Sequence, residues 1–259
     1  MSKVTDRLDN KEIIELAKRQ YEQNKKASKF PANIVKFPSQ GKTYPESSPL
    51  RSGELEMRYM TAYDEDILTN STYIKNEVVF DKLLESLIIT PGIDISTLIP
   101  GDKESLIISA RILGYGPTYD INVLNKSDVS VPAKMDLTKL KNKPFDLTPD
   151  ELGLFEYTIP STKDKIKFKF LSADDINKIN ADTFVSDFLK FTICKVNDDS
   201  DTTIVQDYIH YTLRASESKL LRNYITLNSP SIDRDINVIS EDGGTIPATF
   251  QFNIDLFWF

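Results

Sequence analysis

Phe37-Pro38-Ser39-Gln40-Gly41-Lys42-Thr43-Tyr44-Pro45, then Met60-Thr61-Ala62-Tyr63-Asp64-Glu65-Asp66-Ile67-Leu68, then Gly101-Asp102-Lys103-Glu104-Ser105-Leu106 set the reading of this chain. The first stretch is turn chemistry. With Pro49 and Gly53 it predicts short extended pieces joined by turns, and a strand from about Glu54 to Tyr59. In the second stretch Thr61 is a good N-cap with Asp64 three residues on, and Asp64-Glu65-Asp66 suits the positive end of a helix dipole. A second helix follows Asn76, its apolar face Val79, Phe80, Leu83, Leu84 and Leu87, and Pro91-Gly92 stops it. The third helix is expected to start with Asp102 as its cap, to carry Leu106, Ile107, Ala110, Ile112 and Leu113, and to stop at Gly114. Three helices this apolar are expected to form one cluster.

Beyond Gly114-Tyr115-Gly116-Pro117 the period changes from helical to alternating. Tyr119, Ile121 and Val123, then Val129, Val131, Ala133 and Met135, read as a hairpin. A second hairpin sets Phe155 to Ile159 against Ile166, Phe168 and Phe170. Helical periodicity returns from Ser172 to about Leu227, with Ser172 and Asp175 as a capping pair and Ser216 as a later cap. Phe250, Phe252, Ile254, Leu256 and Trp258 alternate as a terminal strand, with Ile236 and Val238 as its partner. The fold class is α+β. The expected organisation is a polar helical arm over residues 1–33, a core over 34–171, and a helical block over 172–259 that either stands apart or joins the core.

A chain of 259 residues can bury a sizeable core. A net charge of −7 argues against a general nucleic-acid or acidic-membrane surface. The arm is the local exception, with eight Lys or Arg against five Asp or Glu in residues 1–29. Its helix, residues 10–27, has one thin apolar stripe of Ile13, Ile14, Leu16, Ala17 and Tyr21. Such a helix is a solvated arm or a docking helix that orders on a partner. The first residues lack an apolar leader core, and no apolar run approaches the ~20 residues that span a bilayer. A reducing cytoplasm is the expected compartment, since the single Cys194 cannot form an internal disulfide.

Catalytic chemistry is hard to assemble from this inventory. His210 is the sole histidine, so no Ser-His-Asp set can be built more than once and no two-histidine metal helix at all. Asn197, Asp199 and Asp201 have the first spacings of a calcium loop, but Thr202 replaces its glycine and Tyr208 its bidentate glutamate. Gly114-Tyr115-Gly116-Pro117 has no following Lys-Ser/Thr and is not a phosphate loop. Carboxylate pairs such as Glu54 with Glu56, or Asp64 with Glu65, are expected by chance among 39 acidic residues. No catalytic residue, metal or cofactor is assigned.

The turn at Phe37–Tyr44, the capped helix at Met60–Leu68, and Gly101-Asp102-Lys103 with Ala110-Arg111-Ile112-Leu113-Gly114-Tyr115-Gly116 resemble the base plate protein family of T-even-type contractile-tailed bacteriophages, the family of the small baseplate hub subunit. The terminal Asp255-Leu256-Phe257-Trp258-Phe259 is similar to the aromatic ending of that family. The resemblance covers roughly residues 34–140 and the last few. Where some relatives carry paired cysteines, this chain has Leu124-Asn125-Lys126-Ser127-Asp128, so no metal knuckle is inferred. The resemblance implies a non-enzymatic structural or assembly component of a tail baseplate hub, working in the host cytoplasm during assembly and, if a structural subunit, present in the virion tail baseplate. Its partners would be other baseplate or hub proteins, with no nucleic acid, membrane or small-molecule substrate. The residues expected to meet partners are Ile13, Leu16, Ala17 and Tyr21 on the arm, Pro38, Gly41 and Tyr44 in the turn, and Phe257, Trp258 and Phe259 on the terminal strand. The alternatives are a transient tail-assembly chaperone absent from the virion, and a carboxylate-dependent hydrolase. The last requires a deep pocket lined by acids of raised pKa.

Overall fold

A computed structural model describes residues 32–124, 128–179, 185–240 and 243–257. Ala32–Lys36 (β1) pairs antiparallel with Glu54–Arg58 (β2), and a 3-10 turn at Pro49–Ser52 lies between them. Helices Ala62–Thr69 (α1), Ser71–Lys75 (α2), Val79–Leu87 (α3) and Pro100–Tyr115 (α4) follow. Next come Thr118–Leu124 (β3), Ser130–Asp136 (β4), Lys141–Asn142 (β5), Phe155–Thr158 (β6) and Lys165–Phe168 (β7). The chain continues through Ala173–Lys178 (α5), Val185–Thr192 (α6), Ile193–Val196 (β8) and Thr202–Asp207 (α7). It closes through a π turn at Tyr208–Thr212, Ala215–Leu227 (α8), Ile232–Asp233 (β9), Asp235–Ser240 (β10), Thr245–Thr249 (β11) and a 3-10 turn at Ile254–Phe257. The fold is α+β, with small antiparallel sheets ordered β1-β2, β11-β10-β4-β3, β5-β9 and β6-β7-β8.

Helix α4 is the axis of the core. Leu106, Ile107, Ile108 and Ala110 are all buried, covering more than one face, as in a helix surrounded by protein. Against it, α3 buries Val79, Leu83, Leu84 and Leu87, the residues its three- and four-residue spacing aligns. Each fully buried leucine contributes about 1.5–3 kcal/mol relative to an exposed one. Phe145, Phe155, Phe168 and Phe170 form a second cluster, with ring centroids 5.2 to 5.9 Å apart. Buried residues from Val35 through Phe257 belong to one continuous core.

Several expectations hold residue by residue. Thr61 and Asp64 close a capping box, as do Ser172 and Asp175. Both hairpins stand where alternation put them, Tyr119 opposite Met135 and Phe155 opposite Phe168. Pro132, without an N–H, lies just beyond the two residues, Ala133 and Lys134, through which β4 pairs with β10.

Other expectations are corrected. Pro100 opens α4 with Ile99 at the cap position, so Asp102 is inside the first turn and does not cap. The helix runs past Gly114 to Tyr115 and ends at Gly116, whose φ of 83° is the left-handed region. Within the expected helical block, Ile193–Val196 is a strand on β7, its β-branched Ile193 and Val196 buried at the sheet. Helix α8 starts before Ser216, with Glu217 accepting from Arg214 N at 3.1 Å. The terminal strand is displaced. Gly243-Gly244 turns the chain early, Ser240 N donating to Gly244 O, so β11 at 245–249 is the partner of β10. The alternating aromatics instead lead into a 3-10 turn that buries the consecutive Leu256 and Phe257, which no strand with one core-facing side could do.

Candidate functional site

The clearest cluster of polar side chains is where the Phe37–Tyr44 turn meets α4. Gly41 sits at a φ of 75°, and a side chain there would press to 2.4 Å from Arg51 O, so the turn closes onto the Pro49–Ser52 segment only with glycine. Arg51 Nη1 then donates to Lys42 O and Tyr44 O at 3.2 and 2.9 Å. The turn so fixed aims three donors at one carboxylate. Ser39 N and Ser39 Oγ donate to Asp102 at 3.0 and 2.6 Å, and Tyr44 Oη donates at 2.7 Å. Both hydroxyls also accept, Ser39 Oγ from Gly41 N at 3.1 Å and Tyr44 Oη from Ile99 N at 3.2 Å. Each hydroxyl proton is therefore committed to Asp102, an arrangement that suits an ionised acceptor.

Electrostatics act against that ion. Asp102 is fully buried, and burial holds its pKa above the ordinary value despite the bonds from Ser39 and Tyr44. Tyr44 is raised too, first by burial and then by the Asp102 charge. Asp64 forms the counterpart at the start of α1. Burial alone would raise it, but bonds from Arg58, Ser86 and Thr61 outweigh burial and lower its pKa. Arg58 grips Asp64 with both terminal nitrogens, at 2.8 and 2.9 Å.

The residues expected to face partners fall into two groups. Ile13, Leu16, Ala17 and Tyr21 lie outside the described residues, as do Trp258 and Phe259. Pro38, Gly41, Tyr44 and Phe257 are buried within the chain itself. That placement corrects them as contact residues: the turn faces α4, and Phe257 packs on Phe80 and Tyr115 at 6.1 and 6.3 Å between centroids. Arg111 secures this end of the chain, donating to Leu256 O, Gly116 O and Thr118 O. No local pattern marks the Asp102 cluster, since an acid after a helix-start glycine reads as a cap.

The remaining candidates are absorbed by structure. Asn197 accepts from Lys165 N and donates to Asp164, and Asp201 caps α7. His210 is exposed in the π turn beside Tyr211. Among the described residues no group of three His, Cys, Asp or Glu side chains is placed to hold a metal. A groove of about 850 Å³ runs along β3 and β4, lined by Asp120, Lys134, Asp136, Lys139 and Ile239. Its charges are balanced, with Asp120 opposite Lys134 and Asp136 accepting from Thr138. Asp102, the buried acid of raised pKa, does not line it. Among the described residues no helix is long and apolar enough to cross a membrane. Comparison with family models, with curated proteins and with solved structures returns no match. The Asp102 cluster holds a turn on a helix, with Ser39, Tyr44 and Asp102 all buried.

Proposed function

We propose that this chain is a non-enzymatic structural or assembly component of a contractile phage tail baseplate hub, acting through protein–protein contacts. One observation supports the reading. The three separate stretches that carry the resemblance meet in a single packed unit. Ser39 and Tyr44 of the first bind Asp102 of the third, while Tyr115 of the third donates to Glu65 of the second at 2.8 Å. Met60 also lies against Gly114, its sulfur 2.6 Å from where a Cβ would stand. A set of motifs that recurs for structural reasons should pack together, because each constrains the others. The chemistry of the unit is that of a scaffold: its two fully buried acids, Asp64 and Asp102, are spent on a cap and on internal bonds.

The test is isolation of the tagged full chain from infected cells, followed by identification of what accompanies it and of whether it is in purified virions. Baseplate or hub proteins should copurify. Recovery of the chain alone, and its absence from particles, would overturn the reading. Copurification with hub proteins but absence from the virion would assign it to assembly rather than to the finished tail. Removing residues 1–29, the basic arm with its apolar stripe, should weaken that capture while leaving the melting transition of the remaining chain unchanged.

A further inference from the structure

The four-stranded sheet has two edges, and they differ. Bonds flanking β11 fix which way its backbone faces: Ser240 N donates to Gly244 O, and Phe250 N to Arg234 O. In that phase the even residues of β11 turn their N–H and C=O toward β10, and Thr245, Pro247 and Thr249 turn theirs outward. Pro247 therefore stands at the free edge with no N–H, a device that blocks strand addition. On the other side, Leu137 N donates to Pro117 O, in register with the β3–β4 ladder. Odd residues of β3 thus bond β4, and Thr118, Asp120, Asn122 and Leu124 turn their backbone groups outward. Arg111 takes the Thr118 carbonyl. Among the described residues nothing else bonds to that edge, which has neither proline nor lysine over its seven residues.

We propose that β3 pairs antiparallel with β3 of a second copy about a two-fold axis at Ile121, making one continuous eight-stranded sheet. Three features of the strand select this partner and register. A pairing that keeps the buried and exposed faces continuous must be centred on a residue, not between residues. Centring on Asp120 would set two carboxylates opposite each other, and centring on Asn122 would shorten the ladder. Centring on Ile121 places Asp120 opposite Asn122 of the second copy and Tyr119 opposite its Val123. The two central outward-facing residues, Asp120 and Asn122, then exchange bonds with their counterparts. The Asp120 charge keeps Lys134 across its own hairpin. Side chains at 120, 122 and 124 are exposed, so their replacement leaves the core untouched. The inference is independent of the baseplate reading.

Sedimentation velocity of the full chain over a concentration series tests it. The wild-type chain should show reversible dimers. Asn122→Asp sets Asp120 against a second carboxylate twice per dimer and should raise the dissociation constant by about tenfold. Asp120→Asn combined with Asn122→Asp restores an Asn–Asp pairing and should recover the dimer. Asn122→Pro removes an outward N–H, as Pro247 does on the other edge, and should give monomers. Circular dichroism and melting temperature should stay at wild-type values in the two Asp/Asn variants, which separates loss of pairing from loss of fold. A wild-type chain that stays monomeric overturns the proposal, as does a dimer indifferent to Asn122→Asp or one that the double exchange fails to rescue.

Discussion

Asp64 and Asp102 are both fully buried acids near the start of a core helix, and they are held in opposite ways. Asp64 has a cation: Arg58 grips it bidentately, and Ser86 and Thr61 add hydroxyl donors. Asp102 has donors only, all three from the turn that carries Ser39 and Tyr44. Among the described residues no cation contributes to its titration, while Asp64 gains most from Arg58 once burial is set aside. A buried charge with a cation is costly to break, whereas a buried charge held by dipoles alone is close to neutralisation. The two sites have the same apparent sequence grammar, an acid at a helix start, and different physics.

The largest effect should come from breaking the paired site. Asp64→Ala leaves the Arg58 guanidinium and Ser86 without their acceptor and opens the capping box of α1. The expected loss is about 3–5 kcal/mol of unfolding free energy. Urea denaturation followed by tryptophan and tyrosine fluorescence reads it. Asp102→Asn keeps the shape but removes the charge and turns one accepting oxygen into an amide donor facing the Ser39 and Tyr44 donors, so its loss should be about 1–2 kcal/mol. Equal losses at the two positions would erase the distinction between cation-held and dipole-held acids.

The pH dependence sharpens the contrast because the signs differ. Asp64 has a folded pKa below its ordinary value of 3.8, so its stabilisation is present above pH 3.8 and is lost as pH falls through the folded value. The folded pKa of Asp102 is above 3.8, so the folded state binds its proton more tightly than the unfolded state does. Its stabilisation is largest below 3.8 and declines as pH rises from there through the folded value. The penalty of Asp64→Asn should therefore grow from acid toward neutral pH, while that of Asp102→Asn should shrink over its own window. Denaturation series for both variants and wild type between acid and neutral pH give the two slopes. Slopes of the same sign would mean that Asp102 has a compensating cation.

What could be read in the sequence follows the same division. Thr61 with Asp64 and Ser172 with Asp175 were legible because a cap is a local bond, complete within four residues. The β3–β4 and β6–β7 hairpins were legible because alternation marks a half-buried sheet. The Asp102 cluster was not, because its partners lie 63 and 58 residues away. The aromatic ending misled for a related reason. Alternation over residues 250–258 matches a strand, but Gly243-Gly244 had already supplied the hairpin, and Arg111 draws Leu256 into a turn. The turn residues Pro38, Gly41 and Tyr44 stood out as a surface, yet each is buried by long-range contacts that no local pattern reports.

Tyr44→Phe probes the dipole-held site most gently. The ring would keep its packing on Phe37, 6.2 Å between centroids, so no cavity forms. Two bonds go: the donor to Asp102, and the acceptor for Ile99 N at the start of α4. A buried N–H without an acceptor costs about 1 kcal/mol or somewhat more. Loss of a donor that favours the ionised form also moves the Asp102 pKa further up. The variant should thus be destabilised by about 1–2 kcal/mol at neutral pH and by less in acid, where Asp102 is protonated and needs fewer donors. Denaturation at two pH values separates these terms. A penalty independent of pH would mean that Tyr44 acts on α4 through Ile99 alone and that Ser39, with its two bonds, holds the Asp102 charge.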